Sequence, residues 1–533
     1  MSLPVDAIDA VFQAWDTPDS PGCALGLVQD GALAYTRGYG LANLEYGIPI
    51  TPASVFHVAS VSKQFTAAAI ALLAREGALA LDDDVRRYIP ELPAYSAPIT
   101  LRHLILHTSG LRDQWDLLYL AGWREADLKT NEDVLAIAQR QRALNFQPGA
   151  AWAYSNTGYT LLALVVERVT GQSLRAYANT ALFQPLEMAA THFHDNHSEV
   201  VRDRAYAYAL KGDRFEISIP NFDTVGATSL FTTVEDLARW ATNIFEPRIA
   251  DRDFIAQLCT PGALATGQRL NYAFGLGLGN FHGLRMVGHS GGDAGYRARI
   301  TWFPEQQLAV IVLCNLSTMD PERLALQVAT FCLGESVRHE DMDAQATVTP
   351  DPSELAALAG VYRNAETGEL LRLSTSSGKL FLAGEPPIEL LPLSPQRFRL
   401  DTQPYEVEFG APADDGTREL RQFSLHGFSS GAASILYRSV MPITLNAVEL
   451  AAYEGAYASH ELGVTFTVVL RGEQLILQRP KQADAPLQAT LADVFSVDED
   501  RFSLTFARDQ QGGVTGVEFR SSRLYSLPLV RAR

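Results

Sequence analysis

The stretch His57-Val58-Ala59-Ser60-Val61-Ser62-Lys63-Gln64-Phe65 leads into Thr66-Ala67-Ala68-Ala69-Ile70-Ala71-Leu72-Leu73-Ala74-Arg75-Glu76 and stops at Gly77. A run of strong helix formers closed by glycine predicts a helix. It is apolar nearly all round, which places it in the centre of a domain. Ser60 falls at its start, with Lys63 one turn along on the same face. A serine hydroxyl is a poor nucleophile until a base takes its proton. Desolvation lowers the pKa of a buried lysine, and the positive end of the helix dipole acts in the same direction. A neutral Lys63 could accept the Ser60 proton, and the unpaired Ser60 backbone N–H could face an oxyanion.

Ser-x-x-Lys alone is weak. Ser376-Ser377-Gly378-Lys379 fits it too, yet reads as a polar hairpin turn between strand-like runs. Two further features supply partners. Tyr154-Ser155-Asn156 lies on a loop before the apolar helical segment 159–169; its phenol could relay a proton and its Asn156 amide could bind substrate. Tyr177-Ala178-Asn179 and Tyr362-Arg363-Asn364 share that template. His289-Ser290-Gly291-Gly292 precedes the strand-like segment 297–303, and its His-x-Gly pattern occurs nowhere else in the chain. Glycine there lets one backbone approach another closely.

The 533 residues suggest about three domains. Apolar content of 47% and charged content of 20% are those of a globular protein with a large core. A net charge of −18 argues against nucleic acid and anionic membrane surfaces as partners. The four cysteines, Cys23, Cys259, Cys314 and Cys332, have no metal spacing, and three of them, in apolar surroundings, read as buried free thiols rather than a disulfide framework. No run reaches transmembrane length, and no charged-then-apolar leader precedes Val5, so the expectation is a soluble, cytoplasmic protein, with a trimmed export signal left open.

Residues 5–15 have helical spacing, and Asp30-Gly31 between two apolar runs signals a hairpin. Thr100 is the expected N-cap of a helix ending before Ser109-Gly110. Strand character returns near residue 275 and continues through 308–315, before an amphipathic helix at 322–333. Strands and a helix at both ends with helices between predict one α+β domain over about 4–336, its sheet assembled from the two ends of the segment. Residues 337–352 read as a linker. Beyond them the chain repeats itself. Glu354-Leu355-Ala356-Ala357-Leu358-Ala359-Gly360-Val361-Tyr362 parallels Glu449-Leu450-Ala451-Ala452-Tyr453-Glu454-Gly455-Ala456-Tyr457, 95 positions on. Leu380-Phe381-Leu382, Arg397-Phe398 and Leu436-Tyr437 have ordered counterparts in Leu475-Ile476-Leu477, Arg501-Phe502 and Leu524-Tyr525. Two small antiparallel β-barrels follow, over 353–440 and 448–533. The second carries extra residues within 478–500, either a functional loop or a solvated hairpin extension.

Taken in order, these motifs resemble the penicillin-recognising serine hydrolases, the superfamily of class C β-lactamases, serine carboxypeptidases and related esterases. The resemblance covers roughly residues 5–335 and includes Leu104-Ile105-Leu106-His107-Thr108-Ser109-Gly110-Leu111. It implies that Ser60 forms an acyl-enzyme and that Lys63 and Tyr154 share acid–base work, with the choice of proton acceptor left open. It further implies that His289 orients Tyr154 or binds substrate, that the backbone N–H groups of Ser60 and Gly292 make the oxyanion hole, and that no metal or cofactor is needed. The family usually has Lys-Thr-Gly where this chain has His289-Ser290-Gly291, which counts against β-lactamase or DD-carboxypeptidase activity. Histidine there, followed by two barrels, is similar to D-aminopeptidase, in which a loop of the last barrel reaches the site. By that analogy Asp484 would neutralise a substrate amine. The expected partner is a small molecule or short peptide; a homodimer is left open.

Four other readings compete. A carboxylesterase would use the same residues, and a non-catalytic peptide- or sugar-binding protein would not need them. Gly288-His289-Ser290-Gly291-Gly292 also fits Gly-x-Ser-x-Gly, but that elbow must lead into a helix, and here a strand follows. His192, His194 and His197 could be read as metal ligands, although their segment looks like a polar connecting loop.

Overall fold

A computed structural model describes residues 3–334, 350–384, 387–401, 405–424 and 434–532. Most of the expected linker at 337–352 lies outside these residues.

The first unit is built on a six-stranded antiparallel sheet. Its spatial order is Gly277–Phe281, Leu284–Asp293, Tyr296–Phe303, Leu308–Cys314, Cys23–Gln29 and Ala32–Tyr39. The N-terminal hairpin therefore pairs with the last strand of the unit, Cys23 opposite Cys314. The hairpin turn takes positive φ at both Asp30 and Gly31, the backbone that an Asp-Gly pair favours between twisted strands. All four cysteines are free. The helix Ser62–Arg75 is buried from Ser62 through Leu73 and packs beside the helix Asn156–Thr170. Thr100 caps the helix Leu101–Ile105, as its position predicts.

Beyond residue 350 the repeated segments fold alike. Gly360–Arg363 through Ile435–Val440 form a closed eight-stranded antiparallel barrel. The second copy is a nine-stranded antiparallel sheet whose two edge strands, Ala485–Pro486 and Gln488–Leu491, are neighbours in sequence, so it curls nearly closed. The tyrosines matched by the repeat make the same bond: Tyr362 donates to Leu358 O at 3.0 Å and Tyr457 to Tyr453 O at 2.7 Å. Ser376-Ser377-Gly378-Lys379 is a hairpin turn with positive φ at Ser377 and Gly378.

The last barrel shares a core with the first unit. Leu117, Leu118 and Leu120 of the helix Gln114–Leu120 pack with Leu462, Phe466 and Phe495. The extra segment of the second copy docks on the same helix: Gln482 Nε2 donates to Tyr119 O at 2.7 Å, and Gly122 faces the Pro480 carbonyl, which a Cβ would approach to 2.6 Å. That contact excludes the reading of a freely solvated extension.

Candidate active site

Ser60 sits in a single 3₁₀ turn, Ala59–Val61, directly before the helix that carries Lys63. Ala59 is in the left-handed region, with φ 47°, which is strained for a residue with a side chain and turns the chain sharply ahead of Ser60. The strand Leu284–Asp293 packs against this turn. A Cβ on Gly291 would lie 2.1 Å from Val58 O and 3.1 Å from Ser60 N, so only glycine permits the approach. Its outer neighbour pairs no further than Gly288, so among the described residues the stretch from His289 to Asp293 is a free edge beside Ser60.

Lys63 is fully buried. Its Nζ lies 3.0 Å from Ser60 Oγ, 2.8 Å from Asn156 Oδ1 and 2.7 Å from Ala227 O. The amide and carbonyl oxygens can only accept. A neutral amine has two hydrogens for them and one lone pair left to face the Ser60 hydroxyl. Burial pushes the Lys63 pKa down to about 7, against the opposing pull of Asp293 and Asp113. Tyr154 stands alongside, its ring centroid 4.8 Å from Lys63 Nζ and its phenol within reach of Ser60. Burial pushes its pKa well above the usual tyrosine value, so it stands in the cleft as a neutral phenol.

Both polar atoms of the Asn156 side chain are bonded within the site. Its Oδ1 accepts from Lys63, and its Nδ2 donates to Asp113 Oδ2 at 2.8 Å. These two bonds also make Asn156 a positioning residue for the lysine. His289 makes no bond to Tyr154; their ring centroids are 6.3 Å apart. A chain of buried bonds fixes it instead. Ser155 N–H donates to His107 Nδ1 at 3.1 Å, so the His107 proton is on Nε2, facing Tyr272 OH at 3.2 Å. Tyr272 OH then faces His289 Nε2 at 3.1 Å, and His289 Nδ1 is 2.6 Å from Ser290 O. Each link sets the tautomer of the next. Burial pushes the His289 pKa down to about 3 and that of His107 well below its usual value, so both imidazoles are neutral near pH 7.

Gly292 lies on the free edge and is exposed. Asp484 stands apart from this cluster. It is exposed on the last barrel, paired with Arg471 at 2.6 Å and bonded by Gln478, and among the described residues nothing links it to Ser60, Lys63 or Tyr154. The last barrel does reach the site, but through Arg523, whose Cζ lies 5.1 Å from the Tyr154 ring centroid.

Asp113, Asp293, His107, Tyr272 and Arg523 are the members that sequence reasoning passed over. His107 lies inside the quoted Leu104–Leu111 motif, and Asp293 directly follows Gly292. Arg523 is flagged by the repeat, since its counterpart beside the matched Leu-Tyr pair is Ile435. Tyr272 carries no such signal. The Asp293 carboxylate accepts from Thr228, and burial raises its pKa to about 6.

Of the three histidines weighed as metal ligands, His197 pairs with Asp223 at 3.1 Å. His192 and His194 adjoin each other near Glu199, but Arg175 already engages that carboxylate. A guanidinium in that place opposes a cation.

Comparison with known proteins agrees with this geometry. The chain is 28% identical over 404 residues to "Penicillin-binding protein 4*" of Bacillus subtilis, covering 72% of this chain and 88% of the relative. It is 28% identical over 360 residues to the D-aminopeptidase of Gluconobacter oxydans, covering 67% of this chain and 66% of the relative. Its fold is similar to that of the octameric penicillin-binding protein homologue from Pyrococcus abyssi, with a TM-score of 0.59 at 24% identity over 82% of this chain and all of the other. The profile of the Beta-lactamase family matches residues 8–332, more than half of the protein, and the chain belongs to that family.

Proposed function

We propose that this chain is a serine hydrolase that works through an acyl-enzyme on amide bonds, of the D-aminopeptidase and D-amino-acid amidase type. The observation that carries the proposal is the arrangement around Lys63: two acceptor-only oxygens hold its hydrogens while its third contact is the Ser60 hydroxyl. With a pKa near 7, the amine is available as a base under ordinary conditions.

In the proposed cycle, Ser60 Oγ attacks the substrate carbonyl carbon and its proton passes to Lys63. The Ser60 N–H and the free strand edge at Gly292 stabilise the oxyanion. The carbon–nitrogen bond breaks as the Tyr154 phenol protonates the leaving amine, and Lys63 returns a proton to Tyr154. Water then attacks the ester and regenerates Ser60. The expected substrate is a small amide or short peptide, and no step calls on a metal. Support for the amidase reading comes from the D-aminopeptidase relatives and from histidine at position 289. Self-association and a cytoplasmic location belong to the same proposal.

A carboxylesterase is the second reading, favoured by one observation: the carboxylate expected to hold a substrate amine, Asp484, is occupied by Arg471. A hydrolysis panel separates the two. It comprises D- and L-alaninamide, p-nitrophenyl acetate and butyrate, nitrocefin and a D-Ala-D-Ala peptide, each run with Ser60→Ala as control. Preference for D-amides supports the amidase. Activity confined to the acyl esters supports the esterase, and activity that survives Ser60→Ala refutes both.

A further inference from the structure

Arg523 belongs to the two-residue turn between the strands Val514–Ser521 and Leu524–Arg531. Its backbone is clamped to the first unit. Asn145 Nδ2 donates to Arg523 O at 3.0 Å, Asp113 N–H points at the same oxygen from 3.4 Å, and Tyr525 N–H donates to Asn145 Oδ1 at 3.0 Å. Ser521 Oγ accepts the Arg523 N–H at 3.2 Å and donates to Asp116 at 2.6 Å. The turn is pinned at the cleft, whereas the side chain is not. Among the described residues no acceptor bonds its guanidinium, which lies against the Tyr154 ring while the residue stays exposed to solvent. Asp113, Asp116, Asp293 and Glu369 are close enough to act on it electrostatically, but none bonds it; the Asp113 oxygens are engaged by Trp115 N–H and Asn156.

This vacancy is unusual in its surroundings. The chain has 61 acidic residues against 43 lysines and arginines, so carboxylates are not scarce. Three arginines along the same interface have one: Arg112 pairs with Glu461, Arg479 with Asp498 and Arg501 with Asp116, while Arg140 beside Gly463 donates to the Ala136 carbonyl. Arg523 differs from the three paired ones in lying against Tyr154 with its donors unbonded among the described residues. A guanidinium has five N–H donors in a planar fork that matches a carboxylate. In the cycle proposed above Tyr154 protonates the leaving group, so a guanidinium against its ring stands beside that group.

We infer that Arg523 is a carboxylate subsite for the leaving group, so that the favoured substrates release a fragment with a free carboxylate: short peptides with an unblocked C-terminus rather than simple amides. The inference rests on the serine chemistry proposed above and specifies what departs from the acyl-enzyme.

The test uses activated esters of N-acetyl-D-alanine and of acetic acid, each made with 3-carboxyphenol and with its uncharged twin, 3-carbamoylphenol. The measured quantity is the ratio of kcat/KM for the carboxylate over the carboxamide. An effect of Arg523 on Tyr154 acts on both leaving groups and cancels in this ratio. Wild type is expected to favour the carboxylate about tenfold or more, since hydrogen bonds to charged groups are the strong ones. Arg523→Gln should bring the ratio close to one, Arg523→Lys should keep part of it, and Arg523→Glu should invert it. A wild-type ratio near one, or a preference that survives Arg523→Gln and Arg523→Glu, overturns the inference, and the wild-type arm stands even if a variant fails to fold. Loss of all hydrolysis in Ser60→Ala belongs to the serine chemistry, so failure of the subsite and failure of the nucleophile are read separately.

Discussion

Asp113 Oδ2 accepts two hydrogen bonds from one residue, the backbone N–H of Asn156 at 2.7 Å and its side-chain Nδ2 at 2.8 Å. A residue outside the helix thus caps Asn156–Thr170, since Ser155 at the N-cap position makes no side-chain cap bond. The same carboxylate caps Gln114–Leu120 through Trp115 N–H at 3.0 Å. One side chain therefore fixes both helix starts and, through Asn156, the position of Lys63. Asp113→Ala leaves three donors without a partner, two of them on Asn156, and a buried unpaired donor costs about 1–3 kcal/mol. The expected outcome is a lower unfolding midpoint together with a fall in kcat of about ten- to a hundredfold, read by thermal melting and steady-state kinetics.

The pH profile follows from Lys63. The base form is the neutral amine, so kcat/KM should rise with pH through about 7 and fall about tenfold per unit below it. Asp293, ionised above about pH 6, is the largest influence raising the Lys63 pKa. Asp293→Asn should therefore move the acid limb to lower pH. A limb that stays in place, or moves upward, would show that Lys63 is not the group being titrated. Stability should carry the same sign: the unfolded lysine holds its proton up to about 10.5 and the folded one only to about 7, so Lys63 makes the fold more stable as pH rises across that window.

Tyr272→Phe removes the hydroxyl that joins His107 Nε2 to His289 Nε2. Both imidazoles then lose a buried partner, at a cost of about 1–3 kcal/mol. His107 also packs 4.3 Å from Tyr154, so the loss reaches the proposed acid. The expected result is a kcat decrease of about tenfold with KM little changed. An equal loss of stability with kcat intact would confine the chain of bonds to a structural role.

The helix carrying Lys63 was legible because its residues speak locally: helix formers, a glycine stop and no polar face. The duplicated barrels were legible because the two copies could be compared with each other. What the sequence hid is long-range. Nothing near Asn156 in the chain announces that Asp113 caps it, and nothing near His289 announces Tyr272, since each bond depends on how separate elements pack. Arg523 is 369 positions from Tyr154, and only its mismatch with Ile435 in the first copy marks it. Asp484 illustrates the converse. Its loop looked suited to a reaching role, yet Arg471, at the end of the strand Val464–Arg471, is close enough to neutralise it.

Arg112 and Glu461 form the buried ion pair that ties the last barrel to the first unit, with side-chain exposures of 1% and 11%. Arg112 also donates to Gln141 Oε1 at 2.8 Å, and its carbonyl accepts from Thr157 Oγ1 at 2.7 Å, one residue beyond Asn156. Glu461→Gln leaves the Arg112 charge buried without its counter-ion, a loss of about 3–5 kcal/mol. Activity should fall with it, because Thr157 belongs to the turn that positions Lys63 through Asn156. If the cost is the uncompensated charge rather than lost barrel contacts, removing both charges should relieve it. Arg112→Met combined with Glu461→Leu is therefore expected to recover most of the unfolding midpoint lost in Glu461→Gln, as replacing a buried pair with apolar groups of similar size is often neutral. A double variant no more stable than Glu461→Gln would mean that Arg112 serves through its bonds to Gln141 and its fixed backbone, and that the ion pair itself contributes little to docking the barrel.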